Sequence, residues 1–438
     1  MALFAGIFIV LFLIGTPIAV ALGATSLFNM EVFDTIAVSS FTKTASNGFN
    51  SYLLVACPLF TFAGDIMAKG GISKRLIAVA KLLIGNMTGG LGIVSILACM
   101  VFASISGTGS ATVSAIGMIM IPEMVRSHYD RSYATCSVAI GGAIGTMIPP
   151  SVCQVVYATC AGVSLTSMFT AGIPAGIIFG LALCVYCYFS SKKRGYKPAE
   201  KVHYSSKEAL HIVVDAIPAM LVPIIILGSI YAGICTPTES AALGCLVGVL
   251  VSIFIYREVS WKILPYLAMH AMTIAAPVMF IIGMSSGFGS ILSMEQIPAK
   301  IADAILAITN NKYVLLLIIN IIFLIMGTFM ETNAAIILTV PILLPIVTAV
   351  GVSPVHFGIV CIVNLAIGFV TPPLGANLFM ASAIGNVPLN KLAKDIWPWI
   401  ATGIVSLLLI TYIPDLILFL PKLCLLYTSD AADERSSV

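Results

Sequence analysis

Long apolar segments with almost no charged residues are the feature that most restricts the fold of this sequence. Charged residues make up 9% of the chain and hydrophobic residues 60%, whereas ordinary soluble domains carry about 25% charge. β-Barrel strands alternate apolar and polar residues, but these runs are continuously apolar. Several approach the roughly 20 residues that a membrane-spanning helix needs. The sequence therefore predicts an all-α polytopic membrane protein. The predicted spans are Met1–Gly23, Tyr52–Met67, Thr166–Phe189, Ile212–Ala232, Ala241–Tyr256, Tyr266–Gly287 and Trp397–Leu420.

The charges that do occur predict a topology. The formal net charge is +3, and the lipid bilayer rather than nucleic acid is the expected partner. Since cytoplasmic loops are rich in lysine and arginine, the largest basic cluster is expected in the cytoplasm, although it also suits acidic lipid headgroups. Arg257 and Lys262, two spans later, are expected on the same side. The cluster comprises Lys192, Lys193, Arg194, Lys197 and Lys201.

The cysteines and the two termini carry little functional information. Most of the 11 cysteines sit in apolar runs, where cysteine behaves as a small hydrophobe. Cys184 and Cys187 form a CxxC inside a span with no second pair nearby, so no transition metal and no cofactor are expected. Met1–Gly23 has no basic region before its long apolar run, which favours a retained helix over a signal peptide. The polar tail, residues 424–438, is excluded from the argument.

An internal repeat is the most informative pattern. Ala143–Gly162 aligns with Ala366–Gly385, and both contain AIG, a Pro-Pro pair and an amide at matching places. Upstream, Gly107–Ile116 aligns with Gly327–Ile336. The two offsets differ by three residues, so order and spacing are kept in both halves. The chain is therefore expected to consist of two related halves, which the intervening cytoplasmic loop makes inverted repeats.

Each half combines two interrupted elements. Two apolar arms flank a small polar patch, and each arm is roughly 15 residues, or about 23 Å of helix. Such arms are too short to cross a core of about 30 Å, which predicts a re-entrant hairpin whose second arm ends near Pro122 or Pro341. The Pro-Pro pairs are expected to break a second helix in mid-membrane. Paired interruptions of this kind indicate a transporter binding site.

These elements define the predicted organisation. Residues 1–190 form the first repeat, with a hairpin at 87–126 and a broken helix at 133–163. A cytoplasmic linker follows at 191–211. The second repeat covers 212–423, with a hairpin at 313–347, a broken helix at 356–386 and a last helix at 397–420. Residues 424–438 are the tail.

A broken helix exposes carbonyl groups at one end and N–H groups at the other. The carbonyls, with nearby hydroxyls, suit a bare alkali cation, and the N–H ends suit a carboxylate. For any single Ser or Thr, the simpler interpretation is close helix packing. The paired clusters favour a site instead. The predicted cation ligands are Ser106, Thr108, Ser110, Thr112, Gly327, Thr328, Thr332, Gly368 and Thr371.

Few ionisable residues lie at membrane depth. Glu331, at the second hairpin tip, is expected to bind a cation, relay protons, cap a helix or serve structure alone. Asp65 is predicted to be an interfacial or capping residue, and His270 an interior histidine with a satisfied hydrogen bond. Thr236-Pro237-Thr238-Glu239 has the pattern of a helix capping box.

Six motifs in order resemble the large membrane subunit of tripartite ATP-independent periplasmic (TRAP) transporters, over about residues 1–420. They are FAGDIMAKGGISKRL, SISGTGSATVSAIGMIMIPEM, GAIGTMIPPS, TPTESAALG, FMETNAAIILTVPILLPI and GFVTPPLGANLF. The resemblance implies an elevator-type ion-transporter fold in the bacterial inner membrane, and sodium-driven import. It also implies two partners, a periplasmic binding protein that delivers an organic acid and a small four-helix membrane subunit, expected here as a separate polypeptide.

Carried over by position, the resemblance implies that the hairpin tips and the Pro-Pro breaks form the sodium and substrate sites. Na⁺ is then the only expected ion. The implied substrate-binding residues are Thr146, Pro149, Pro150, Ser151, Glu331, Asn333, Pro372, Pro373, Gly375 and Asn377.

Other functions fit less well. A stand-alone sodium–dicarboxylate symporter shares the hairpins but needs no binding protein. An intramembrane enzyme needs a nucleophile with its base or paired aspartates, and no HExxH motif is present. A passive channel lacks its ring of charge, and an ATP-driven pump lacks its phosphate-binding loop. The acid itself remains open among C4-dicarboxylates, sialic acid and other sugar acids.

Overall fold

The computed structural model describes residues 6–8, 10, 11, 14–33, 36–196, 205–297, 300 and 311–423. This part of the chain is built from helices, with no strand among them. The predicted all-α fold class is therefore confirmed. Lys197, Lys201 and the tail at 424–438 lie outside the described residues.

Between Ile18 and the first hairpin the structure has four helices, and the start of the first of them corrects a prediction. They are α1 (Ile18–Phe33), α2 (Val38–Phe49), α3 (Ala56–Lys69), which follows a 3₁₀ turn at Tyr52–Val55, and α4 (Ile72–Ile84). A continuous helix over Met1–Gly23 is wrong, because residues 14–17 are not helical and α1 starts at Ile18. Gly15 adopts a left-handed φ of 82°, and Pro17 disfavours helix at the residue before it.

The first hairpin and the first broken helix follow. The hairpin arms are α5 (Gly90–Ser106) and α6 (Gly109–Arg126). The broken helix consists of α7 (Arg131–Ala143), a 3₁₀ turn at Ile144–Thr146 and α8 (Val152–Ala161). The long α9 (Leu165–Arg194) closes this half and carries Lys192, Lys193 and Arg194 in its last turn.

Between residues 205 and 296 the structure has three long helices. They are α10 (Ser206–Tyr231), α11 (Pro237–Leu250), which a π-helical segment extends to Ile255, and α12 (Leu264–Met294), which follows a 3₁₀ turn at Trp261–Ile263. The predicted capping box is confirmed at α11, where Thr236 and Glu239 satisfy each other's backbone N–H groups.

The second half repeats the order of the first. The hairpin arms are α13 (Lys312–Phe329) and α14 (Thr332–Ala349), and the broken helix is α15 (Pro354–Gly368) with α16 (Ala376–Gly385). A bend of 49° separates α17 (Leu389–Asp395) from α18 (Trp397–Tyr412). A single helix over 397–420 is wrong, since α18 ends before Pro414 and a further helical stretch covers 415–423. Proline disfavours helix at the preceding residue.

The hairpin arms are longer than the sequence predicts. They contain 17 residues in α5 and 18 in each of α6, α13 and α14. Pro122 and Pro341 do not end the second arms but lie inside α6 and α14. Packing against neighbouring helices allows proline inside a membrane helix. By length and composition alone α13 and α14 are each candidate membrane spans, although 18 residues make about 27 Å of helix, which is still below a core of about 30 Å.

The hairpins and broken helices of the two halves pack against each other. In each half the hairpin packs on its own broken helix, as α6 does on α7 and α13 on α15. The second arm of each hairpin also packs on the broken helix of the other half, so that α6 contacts α16 and α14 contacts α8. Both tips are thereby held beside both breaks. Repeat boundaries at 190 and 211, the inverted relation of the halves and the cytoplasmic side remain predictions.

Arg75 ties together the helices outside the hairpins. Its Nε donates to Asp215 Oδ2 at 2.9 Å, and one terminal nitrogen donates to Glu258 Oε1 at 2.8 Å. The guanidinium also lies 3.6 Å from the ring centre of Tyr256. This cluster joins α4, α10 and the segment before α12.

Candidate functional site

The first hairpin tip rests on the first break. The amide of Val152, which begins α8, donates to the Gly107 carbonyl at 3.2 Å. Gly107 adopts a left-handed φ of 64°, and a Cβ there would lie 2.6 Å from the Pro150 carbonyl oxygen. Only glycine combines this backbone conformation with so close an approach. The sequence thus folds locally so that the tip and the break form one unit.

Hydroxyl groups cluster behind this tip. Ser106 Oγ lies 2.9 Å from Thr112 Oγ1, and Thr112 Oγ1 donates to the Thr108 carbonyl at 2.9 Å. A Cβ at Gly145, in the break, would lie 2.4 Å from the same Thr108 carbonyl oxygen. Three of the predicted cation ligands are therefore brought together, with the backbone of the break against them. Hydroxyl and carbonyl oxygens are the hard ligands that an alkali cation accepts.

The second tip presents a carboxylate. Glu331 caps α14 and accepts from the Ala334 amide at 3.1 Å and from Asn333 Nδ2 at 2.8 Å. Its side chain is nevertheless exposed. The buried atoms Thr332 Oγ1 and Asn333 Oδ1 have no hydrogen-bond partner. Because buried polar atoms are seldom left unpaired, these two oxygens indicate a ligand position. Of the roles predicted for Glu331, helix capping is confirmed.

The second tip and second break meet through two glycines. A Cβ at Gly368 would lie 2.5 Å from Gly327 Cα, so the two backbones are in direct contact. Thr371 Oγ1 donates to the Ile367 carbonyl at 2.7 Å within the same break. Gly375 then turns the chain with a φ of 34° into α16.

The two amides that the repeat makes equivalent are used differently. Gln154 Nε2 donates to the Met147 carbonyl across the first break. Asn377 is completely buried, yet neither its Nδ2 nor its Oδ1 has a partner. A Cβ at Gly109 would lie 2.9 Å from Asn377 Nδ2, so the second-half amide faces the first hairpin tip. The internal repeat alone does not distinguish them.

A cavity of about 400 Å³ lies where these parts converge. It is closed on one side by α12 and is bounded by residues of both tips and both breaks. Six residues of the predicted site line the cavity, namely Thr108, Ser110, Thr146, Glu331, Thr332 and Asn333. Residues that the sequence did not single out also line it, among them Thr61, Cys153 and Phe369.

The other predicted residues do not line this cavity. Ser106 lines a neighbouring cavity, and Thr112, Pro149, Pro150, Ser151 and Asn377 are buried behind the tips. The remainder belong to the second tip and second break, outside the cavity lining. They are Gly327, Thr328, Gly368, Thr371, Pro372, Pro373 and Gly375.

Asp65 and His270 contact each other, which the sequence did not predict. Asp65 lies inside α3, so a capping role is wrong while an interfacial position stays a prediction, and its Oδ2 lies 2.7 Å from Nδ1 of His270. The histidine has its predicted hydrogen bond but is not interior, since 48% of its side chain is exposed. Both residues line the neighbouring cavity of about 590 Å³. Each is an ionisable residue within an apolar run, and this is the sequence feature that could have indicated a functional role.

No group of three or more His, Cys, Asp or Glu residues suited to a metal occurs in the described part of the chain. The donors around the tips are hydroxyl, carbonyl, amide and carboxylate oxygens. Such ligands suit hard cations rather than soft transition metals.

Comparisons with known proteins agree with this geometry. The model of the family described as "Tripartite ATP-independent periplasmic transporter, DctM component" matches residues 5–416. The isethionate TRAP transporter permease DctMQ of Oleidesulfovibrio alaskensis is 43% identical over 414 residues, which are 94% of this chain and 65% of that protein. The C4-dicarboxylate permease DctM of Pseudomonas aeruginosa is 38% identical over 92% of this chain and 94% of its own length.

Two further matches add to these. The sialic acid permease SiaM of Vibrio cholerae is 34% identical over 94% of this chain and 96% of its own length. The solved structure of the Alcanivorax borkumensis YdaH transporter covers 84% of this chain and 86% of its own, with a TM-score of 0.64 at 14% identity, and so shows the fold alone. Together with the two hairpins and two broken helices, these matches show that the chain belongs to the TRAP transporter family as a DctM-type large permease, a multi-pass protein of the bacterial inner membrane and not an enzyme.

Proposed function

We propose that this permease couples the inward movement of Na⁺ to the import of an organic acid by an elevator mechanism. A periplasmic binding protein delivers the acid, and a small four-helix membrane subunit completes the complex. The acid is a C4-dicarboxylate, sialic acid or another sugar acid, and the name of the isethionate relative adds a small sulfonate to this set.

One observation carries the proposal, namely that the 400 Å³ cavity offers cation and anion ligands side by side. Helices α6 and α8 begin at its wall, at Gly109 and Val152, and neither has a side-chain cap, although the Val152 amide itself donates to the Gly107 carbonyl. Uncapped helix N-termini attract anions through their free N–H groups and the helix dipole. The third helix that begins there, α14, is capped by the carboxylate of Glu331. A carboxylate attracts a cation instead.

The size and composition of the cavity support a small organic anion. Its volume of about 400 Å³ lies within the range of roughly 300–1,000 Å³ that is usual for small-molecule sites. Its polar groups are hydroxyls, an amide and one carboxylate, with no arginine or lysine in the lining. Coupling to a cation supplies the positive charge that the protein side chains of this cavity lack.

The packing supports an elevator motion. Each hairpin packs on the broken helix of the other half, through α6 on α16 and α14 on α8. The hairpins and broken helices are therefore suited to move as one body. Against them stand α12, which packs on α1, α2 and α3, and α11, which packs on α3. Arg75 ties α4 and α10 to this second group.

The test is uptake by liposomes that contain the chain and its small subunit. An inward Na⁺ gradient and the cognate binding protein are each supplied or omitted, with radiolabelled succinate, isethionate and N-acetylneuraminate as probes. Uptake of one probe that requires both supports the proposal.

Two other outcomes are informative. Sodium-driven uptake that ignores the binding protein favours the stand-alone symporter. Uptake that needs neither the gradient nor the binding protein contradicts coupled transport.

A further inference from the structure

A cavity of about 590 Å³ lies beside the tips, and the proposed function does not use it. It lies between α6 of the first hairpin on one side and α3, α4 and α12 on the other. Thr61, Thr108 and Ser110 line both this cavity and the deeper one. The two cavities are therefore adjacent and share part of their walls.

A carboxylate–imidazole pair is fixed in the wall of this cavity. Asp65 Oδ2 lies 2.7 Å from His270 Nδ1, and the carboxylate is the less exposed partner, at 19% against 48%. Since Asp65 occupies Nδ1, the other ring nitrogen, Nε2, is the polar atom left for a ligand.

Two hydrogen-bond donors, an ammonium group and a hydroxyl, lie in the same wall of the cavity. Lys69 lines the cavity, and no carboxylate of the described residues lies within 4 Å of its ammonium group. Ser73 is 3% exposed, and its hydroxyl has no hydrogen-bond partner. Such a buried unpaired hydroxyl facing a cavity indicates a missing ligand.

The charges of the lining favour an anion. Two lysines, Lys69 and Lys74, and one carboxylate, that of Asp65, line it together with His270, so the lysines outnumber the carboxylate. Lys74 is only loosely paired, at 3.9 Å from Glu258.

The opposite wall suits the rest of an organic acid. The α6 side and the end of α5 present the hydroxyls of Ser106, Ser110 and Ser114, together with the backbone at Thr108. A hydroxylated anion would therefore have its charged group on the lysine–histidine side and its hydroxyls on the hairpin.

We propose that this cavity is a second anion site, at which an organic carboxylate or sulfonate binds His270 Nε2, Lys69 and Ser73 after it leaves the deeper cavity. Asp65 acts as a positioning residue that holds the imidazole ring. The inference rests on the proposed function and adds a second binding site that the substrate occupies as it leaves. His270 lies six residues into α12, near Lys262, which the charge pattern places in the cytoplasm.

The test measures anion binding directly, by the shift in thermal unfolding that a ligand causes. The protein is the purified full chain with its small subunit, at constant Na⁺. The probes are succinate, isethionate and N-acetylneuraminate, with uncharged succinamide as the matched negative control. The variants are His270→Gln and Lys69→Gln, and the matched controls are the exposed residues His211→Gln and Lys262→Gln, which lie outside the cavity.

At least one anion is expected to stabilise the parent protein, and succinamide is not. Loss of a charged hydrogen bond typically lowers affinity by about tenfold or more, so each cavity variant is expected to weaken the apparent Kd about tenfold. The two controls stay within twofold. Because Lys69 is exposed, Lys69→Gln tests the site even if His270→Gln fails to fold. Asp65→Asn is expected to weaken binding too, and Asp65→Glu to restore part of it.

Three outcomes overturn the inference. They are a parent protein that none of the three anions stabilises, cavity variants whose Kd stays within twofold of the parent, and variants that change the response to Na⁺ rather than to the anion. Sodium-driven uptake by the parent is measured separately. If sodium-driven uptake persists while one of these outcomes rules out the second anion site, the proposed function stands without that site.

Discussion

The contact between Gly327 and Gly368 allows us to predict how much stability the protein loses when this contact is disturbed. In Gly368→Ala the new Cβ would lie 2.5 Å from Gly327 Cα and 2.7 Å from Gly327 C. Carbon atoms pack best at about 3.5–4.0 Å, so the tip and the break must separate by roughly 1 Å. The obstacle is backbone, which cannot rotate away as a side chain does.

The expected magnitude follows from two opposing effects. Overpacking a well-filled site costs about 1–3 kcal/mol, whereas alanine in place of a helical glycine contributes about 0.5–1 kcal/mol of stability. Gly368→Ala should therefore lower the free energy of unfolding by about 1–2 kcal/mol. In Gly327→Ala the closest approach is longer, 2.9 Å to Gly368 Cα, so its loss should be smaller.

Gly228 in α10 is the matched control, because a Cβ there meets nothing within 4 Å. Gly228→Ala should stabilise the protein by about 0.5–1 kcal/mol. The assay is reversible unfolding in mixed micelles, combined with sodium-driven uptake in liposomes. Uptake should fall in Gly368→Ala and stay unchanged in Gly228→Ala. A Gly368→Ala protein as stable as Gly228→Ala would refute the reasoning.

Three more predictions concern single side chains. Asn377→Leu should keep or slightly raise the unfolding free energy, because an unpaired buried amide costs about 1–3 kcal/mol, yet it should reduce uptake at least tenfold if the amide binds a ligand. Arg75→Ala should lower the unfolding free energy by about 1–2 kcal/mol, since it leaves two partly exposed carboxylates without their partner. Ser106→Ala and Thr371→Ala should each raise the Na⁺ concentration that half-activates uptake.

Each of these has its own control. Gln154→Leu removes a hydrogen-bonded amide and should destabilise the protein where Asn377→Leu does not, so equal stability of the two contradicts the assigned difference. Arg75→Lys should restore part of the lost stability, and full stability of Arg75→Ala would show that the cluster is unimportant. Unchanged sodium activation in both Ser106→Ala and Thr371→Ala would remove these residues from the cation site.

Much of the fold was predictable because its signals are local. Continuous apolar runs require lipid as solvent and helices as structure. Glycine at the first tip and proline at both breaks act through the backbone of their own segment, so the tip at 107–108 and the break before Val152 follow from residue type. The capping box at Thr236 likewise lies within four residues.

Two of the failed predictions depended on packing. Pro122 and Pro341 lie inside helices because neighbouring helices support them, and no local signal distinguishes these prolines from Pro414, at which a helix does end. The failure at residues 14–17 has a local cause instead, because Gly15 and Pro17 interrupt the helix within a run whose hydropathy alone predicts a continuous span.

The sequence by itself determined the class of protein, its two related halves and the residue types at the tips and breaks. Only the tertiary structure decided which of these residues face a cavity. It placed Asp65 against His270, 205 positions apart, and left Asn377 unpaired where its repeat partner Gln154 is bonded. The physical reason is that backbone preferences act within a few residues, whereas a side chain's partners depend on how helices far apart in the chain pack together.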